Sequence, residues 1–194
     1  GGFGIVYLAS NLAQPKMKSV VKFLRPDTGY RRPEIVRVFL EEARLTEEIG
    51  QTCWNVVRVS NVRAEPWPYF FAEYLRGTTL DRVLNGSKAK ITLEDGKGFL
   101  RGIAKALEAT HSHGRVHRDL KPSNIVVLEE REFSSADARI KLIDFGLSLK
   151  IVSARATDQH TAATNSSLSR YRDQIDSPIH SAGTPEYMPP EAFE

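Results

Sequence analysis

His117-Arg118-Asp119-Leu120-Lys121-Pro122-Ser123-Asn124 decides how this 194-residue chain is read. An acid, a lysine two residues on and an amide five residues on can converge on one phosphate and metal site from a single loop. Further along, Ile140-Lys141-Leu142-Ile143-Asp144-Phe145-Gly146 sets a second acid at the end of a compact apolar run that reads as a buried strand. A charged surface turn is the commoner use of an Asp-x-Lys cluster. That use leaves the second acid unexplained.

Outward from this loop, the pattern changes near Gly77. Before it, residues 5–8 and 19–24 are β-branched or aromatic runs of strand length, separated by the polar residues 11–18. Pro33 opens a predicted helix over residues 34–49, in which Val38, Phe39, Leu45 and Ile49 recur at helical spacing. Residues 55–59 and 69–75 are two further predicted strands. After Gly77, residues 79–84 form a short predicted helix and 92–113 a longer one. Thr92 and Asp95 stand at capping-box spacing, ahead of an apolar stripe of Phe99, Leu100, Ile103 and Leu107. Gly96, Gly98 and Gly102 each cost that helix roughly 1 kcal/mol against Ala, so its first turns are expected to lean on tertiary packing. Residues 125–128 and 140–143 read as strands around a polar insertion at 129–138. Residues 148–182, rich in Ser, Thr, Arg and Ala, read as a long loop.

Composition closes off other classes. With 41% hydrophobic and 26% charged residues the chain is ordinary globular material, and 13 Gly with 10 Pro exclude collagen and linker. No apolar run approaches the roughly 18 residues of a membrane helix. Cys53 is the single cysteine, which excludes a disulfide framework and a thiolate cluster and points to a reducing, cytoplasmic setting. The 27 basic residues are interspersed with 24 acidic ones, and a net charge of +3 argues against a nucleic-acid partner.

The motifs together resemble those of the eukaryotic-type serine/threonine protein kinases, in the family's order. Residues 117–124 are similar to the H-R-D-L-x-x-x-N catalytic loop and Asp144-Phe145-Gly146 to D-F-G. Lys121 in H-R-D-L-K-P-x-N resembles the serine/threonine branch. Gly1-Gly2-Phe3-Gly4-Ile5-Val6 resembles the end of G-x-G-x-x-G-x-V, where a side chain would keep the backbone N–H groups off the phosphates. Ser19-Val20-Val21-Lys22 stands where the family has V-A-I-K, with Val20 in place of the small alanine. Glu41 and Glu42 both qualify by type as the partner of Lys22. Glu42 shares a helix face with Phe39, Leu45 and Ile49 and fits F-x-x-E-A in Phe39-Leu40-Glu41-Glu42-Ala43. Tyr69-Phe70-Phe71-Ala72-Glu73-Tyr74-Leu75 resembles the strand and hinge between the kinase lobes, with Ala72 at the gatekeeper position. Gly183-Thr184-Pro185-Glu186-Tyr187-Met188-Pro189-Pro190-Glu191 resembles the end of an activation segment, with Pro189 replacing the alanine of A-P-E.

The resemblance implies an α+β, protein-kinase-like bilobal fold. Residues 1–75 would be a small β-rich N-lobe with one helix and the hinge. Residues 76–194 would be the upper part of a mainly helical C-lobe through the activation segment. The chain opens without Met, inside a glycine-rich turn, and is expected to be a piece of a larger domain, inactive or aggregated alone. The activity implied is transfer of the ATP γ-phosphoryl group to Ser or Thr hydroxyls of a protein substrate, with Mg²⁺. Asp119 would take the hydroxyl proton, Lys121 offset the developing charge, and Asn124 and Asp144 hold Mg²⁺. Lys22, fixed by Glu42, would grip the α- and β-phosphates under Gly1, Gly2, Gly4 and Val6. Backbone groups of Glu73 and Leu75 would meet the adenine edge. A pseudokinase scaffold is the runner-up, but Lys22, Asp119, Asn124 and Asp144 are all present. A small-molecule phosphotransferase is the third possibility, and the peptide-docking segment 183–191 argues against it. The 48 residues from Asp144 to Glu191 make a long activation segment. Phosphorylation is expected there at Ser177 or Ser181, then Thr161, Thr164 or 166–169, pairing with Arg118. Thr184 is expected to contact Asp119. Regulatory domains outside this piece remain open.

Overall fold

The computed structural model describes residues 4–26, 32–86, 91–129, 139–144, 149–150 and 187. Gly1, Gly2, Phe145, Gly146, the insertion at 130–138, Thr184 and the expected phosphorylation sites lie outside the described residues.

Alternation of side chains along the first strands builds an antiparallel sheet with the order β1-β2-β4-β3, from β1 (Gly4–Ser10), β2 (Lys18–Leu24), β3 (Val59–Arg63) and β4 (Tyr69–Glu73). Lys22 lies opposite Val6 on one side and Phe70 on the other, and Val20 lies opposite Leu8 and Ala72. These residues therefore share one face. The other face carries a row of ring contacts, Tyr7–Phe23, Phe23–Tyr69 and Tyr69–Phe71, with centroids 6.1, 5.4 and 5.9 Å apart. Helix α1 (Pro33–Thr52) starts with its proline at the first turn, where no N–H is needed. It buries Ile35, Phe39, Leu40 and Ala43 with Leu24, Val57, Val59 and Phe70 of the sheet side.

The predicted strand at residues 55–59 is corrected. The strand begins at Val59; ahead of it Asn55 and Val57 pair with β8 (Ile140–Leu142) and Arg58 with Glu73. Val57 N donates to Leu142 O at 3.0 Å, Leu142 N to Asn55 O at 2.7 Å, and the Asn55 side chain to Ile140 O at 2.9 Å. Gly50 at the end of α1 makes room for this, because a Cβ there would lie 2.6 Å from Val57 O. The strand predicted at residues 69–75 ends at Glu73, two residues before the predicted end.

The second sheet, ordered β5-β7-β8, adds the short strand β5 (Gly77–Thr79) and β7 (Ile125–Leu128). Helix α2 is Leu80–Asn85 and α3 is Leu93–Ser112. The expected capping box opens α3: Asp95 N donates to Thr92 Oγ1 at 3.1 Å and Thr92 N to Asp95 Oδ2 at 3.0 Å. The stripe on α3 is narrower than its apolar residues suggest. Phe99, Gly102, Ala106 and Thr110 are buried, while Leu100, about 100° further round the helix, is 68% exposed. The buried glycines Gly98 and Gly102 fit the expectation that these turns depend on close packing. A second core joins Leu45 and Ile49 of α1 to Phe99, Ala106, Ile125, Val127, Ile140 and Leu142. Helix α1 thus contributes to both cores. A two-stranded pair of β6 (Arg115–Val116) with β9 (Leu149–Lys150) gives strand structure to two residues of the predicted loop. The architecture is α+β.

Candidate active site

The inward face of β2 and the inward face of α1 meet at Lys22. Its Nζ lies 3.4 Å from Glu42 Oε1 and 3.3 Å from Asp144 Oδ1. Glu41 is exposed, so the helix face singles out Glu42 as the spacing indicates. Burial pushes the Glu42 carboxyl up to about 7, with Lys22 pulling back against that rise. Burial also works against the Lys22 ammonium, but the carboxylates of Glu42 and Asp144 outweigh it and hold the lysine above its ordinary range. Lys22 is therefore a fixed cation. Gly4 passes so close over it that a Cβ would lie 2.8 Å from Lys22 Cε. A cavity of about 350 Å³ opens here, lined by Gly4, Val6, Val20, Lys22, Ala72, Leu75, Val126 and Asp144 among others.

The second cluster forms on the turn between β6 and β7, where a short 3₁₀ helix, Pro122–Asn124, follows Lys121. The Asn124 side-chain amide donates to Asp119 O at 2.9 Å and to Asp119 Oδ2 at 3.1 Å. Lys121 Nζ lies 2.7 Å from the same Oδ2. His117, 1% exposed, accepts the Asp119 backbone N–H on Nδ1 at 3.3 Å. Burial pushes the His117 imidazole down to about 4, so it is neutral at pH 7 and able to accept. Arg118 and Asp144 hold left-handed backbone, with φ of 64° and 67°. Such strain in non-glycine residues gathers at functional sites. One hydrogen bond, Ile143 N to Asn124 O at 2.8 Å, ties the strand end carrying Asp144 to this turn.

Asp119, Lys121 and Asn124 are thus brought together, as are Lys22, Glu42 and Asp144. Val6 and Leu75 line the cavity. Two features were not anticipated. His117 orders the turn, a part its place beside Arg118 and Asp119 could have signalled. Glu73 spends its N–H on Arg58 O at 2.9 Å, and its carboxylate takes Arg58 N at 2.8 Å and Lys141 Nζ at 2.6 Å.

The model of the protein kinase domain family matches residues 1–194. The chain belongs to the protein kinases. It is 32% identical over 192 residues to a serine/threonine-protein kinase of Myxococcus xanthus, an alignment covering 98% of this chain and 24% of the relative. It is 29% identical over 204 residues to a probable serine/threonine-protein kinase of Dictyostelium discoideum, covering 100% of this chain and 40% of the relative. A serine/threonine-protein kinase of Streptomyces griseus is 28% identical over 192 residues, 98% of this chain and 20% of the relative. The chain therefore spans well under half the length of these curated relatives. A protein kinase domain implies ATP as phosphoryl donor, typically with Mg²⁺, and a protein as acceptor. The residues fit that cation: Asn124 spends its amide nitrogen on Asp119, which leaves oxygen for a metal, and the Asp144 carboxylate is 43% exposed. Among the described residues no group of three or more His, Cys, Asp or Glu is placed to hold a metal ion by itself. Among the described residues no helix is long and apolar enough to cross a membrane.

Proposed function

We propose that this kinase domain transfers the γ-phosphoryl group of ATP to Ser and Thr hydroxyls of protein substrates in the cytoplasm. The observation that carries the proposal is the convergence of Asn124 and Lys121 on Asp119 Oδ2, which fixes the carboxylate before any substrate arrives. Asp119 accepts the hydroxyl proton as the new O–P bond forms, a role worth about 10²–10⁴-fold. Lys121 faces the transferring phosphoryl group and offsets its charge. Lys22, held by Glu42, grips the α- and β-phosphates beneath Gly1, Gly2 and Gly4, and Val6 covers the base. Mg²⁺ on Asp144 and Asn124 would neutralise phosphate charge. The adenine edge meets the Glu73 carbonyl and the Leu75 backbone, with residues 1–75 as N-lobe and hinge and 76–194 as upper C-lobe.

Ala72 gives this nucleotide site extra depth. It lines the cavity together with Thr46, Val57, Val59 and Phe70. Phe70 packs at a tilt against Phe39 with centroids 5.3 Å apart, and Phe71 belongs to the opposite face of the sheet. Phe71 is therefore turned away from the space beside Ala72, and Phe70 stands at its wall.

The test is incubation of the intact protein with γ-labelled ATP and a generic basic protein, followed by phosphoamino-acid analysis. Label on Ser or Thr is expected. Nucleotide binding without transfer would make the domain a pseudokinase scaffold, and label on small molecules alone would place it among other phosphotransferases.

A further inference from the structure

Lys141 sits in the middle of β8, yet it is 1% exposed, and no step above uses it. An ammonium is expensive to bury unless partners repay its lost hydration. Here the partners come from separate segments. Nζ lies 2.6 Å from Glu73 Oε1 at the end of β4, 3.3 Å from Val56 O in the connection after α1, and 4.3 Å from the centre of the Trp54 ring. Burial pulls the lysine below its ordinary range, with Glu73 acting against that fall.

Glu73 is held on more than one side. Oε1 takes both Lys141 and the Arg58 N–H, and the Glu73 N–H returns to the Arg58 carbonyl. Two residues further on, Leu75 lines the nucleotide cavity, and three residues beyond Lys141 stands Asp144. One side chain therefore fastens the strand that leads to Asp144 to the end of β4, where the adenine contacts begin.

We propose that Lys141 is a positioning residue for nucleotide binding, fixing residues 73–75 through the Glu73 carboxylate so that their backbone is ordered before adenine arrives. The inference rests on the reading that Glu73 and Leu75 take the adenine edge. Two backbone groups that must be ordered by the ligand cost affinity, and ordering them in advance removes that cost. Loss of the tie therefore weakens ATP and leaves the protein substrate alone.

The experiment compares the intact kinase with Lys141→Met and with Glu73→Gln, which keeps the side-chain shape and an acceptor for Arg58 N–H should the methionine variant fold poorly. The readouts are KM for ATP, KM for the protein substrate, kcat, Tm, and amide exchange of residues 73–75 with and without ADP. Expected is a rise in ATP KM on the order of 5–10-fold, with faster exchange of 73–75 in the free variants and an unchanged protein-substrate KM. A variant that lowers Tm while ATP KM and exchange stay at wild-type values would make Lys141 merely structural and overturn the proposal. Absence of ADP protection at 73–75 in the wild-type protein would overturn the hinge reading and the proposal with it, which separates the two failures.

Discussion

Among the described residues, the Asn124 amide that donates to Asp119 and the His117 ring that accepts the Asp119 N–H stand within five residues of it, whereas the partners of Lys22 stand 20 and 122 residues away in the chain. The first region is a turn that shapes itself; the second exists only when α1, β2 and the end of β8 are all docked. A self-shaped turn can be altered at its reacting group without disturbing what surrounds it. A site assembled from distant elements transmits any change to its neighbours. Transfer and grip should therefore fail separately.

The sharpest break of that separation is at Asp119. Asp119→Asn keeps the volume and an acceptor for the Asn124 amide but removes the proposed base and its ion pair with Lys121, so kcat should fall by about 10²–10⁴ with ATP KM unaltered. A comparable loss in KM would show that the turn is not independent. At the other region, Glu42→Gln leaves Lys22 with one carboxylate fewer in a largely buried site. Losing one partner of such a pair costs about 2–5 kcal/mol, so ATP KM should rise at least about 30-fold, as steady-state kinetics would show. An unchanged KM would mean that Asp144 alone suffices to hold the lysine.

His117 sharpens the comparison through pH. Its folded value near 4 lies below the ordinary 6.5, so between those values the unfolded chain takes the proton first. The contribution is fully present above pH 6.5 and is lost as the pH falls towards 4. Stability should drop by about 2 kcal/mol between pH 7 and pH 5 from this group alone. Denaturant titrations should show a shallower pH dependence in His117→Phe, and parallel curves would refute the assignment. The smallest effect is at Ala72. Ala72→Phe should cost a bulky-ring, adenine-like inhibitor about tenfold in potency, at roughly 25 cal/mol per Å² of its apolar surface left in water, while sparing ATP use. Equal potency against both forms would mean that the hinge register is wrong or the space is already filled.

The same contrast explains what could be read from the chain alone. Asp119, Lys121 and Asn124 are near in sequence, so their spacing carries their geometry. Lys22 was legible only through its place in a run resembling V-A-I-K, whereas helical periodicity in α1 aimed Glu42 inward. Residues 55–58 misled because Val56 and Val57 are β-branched and buried, as in a strand, while the backbone of Asn55 and Val57 pairs with Leu142 in β8, some 85 residues on. Local composition cannot show a partner at that distance. Leu100 misled because Gly98, Gly102 and Ala106 let α3 approach on their own side and leave the leucine outside. Lys141 was illegible for a related reason. A lysine in a strand ordinarily reaches water, and only the tertiary meeting with Glu73 and Trp54 makes its burial possible.

The central claim, that grip and transfer reside in separable regions, is tested most directly by equilibrium titration of ATP against Asp119→Asn and Lys22→Met of the intact kinase. The account predicts that Asp119→Asn binds within about twofold of wild type while Lys22→Met loses at least about 30-fold in Kd. Equal affinities in the two variants, whether both retained or both lost, would contradict it.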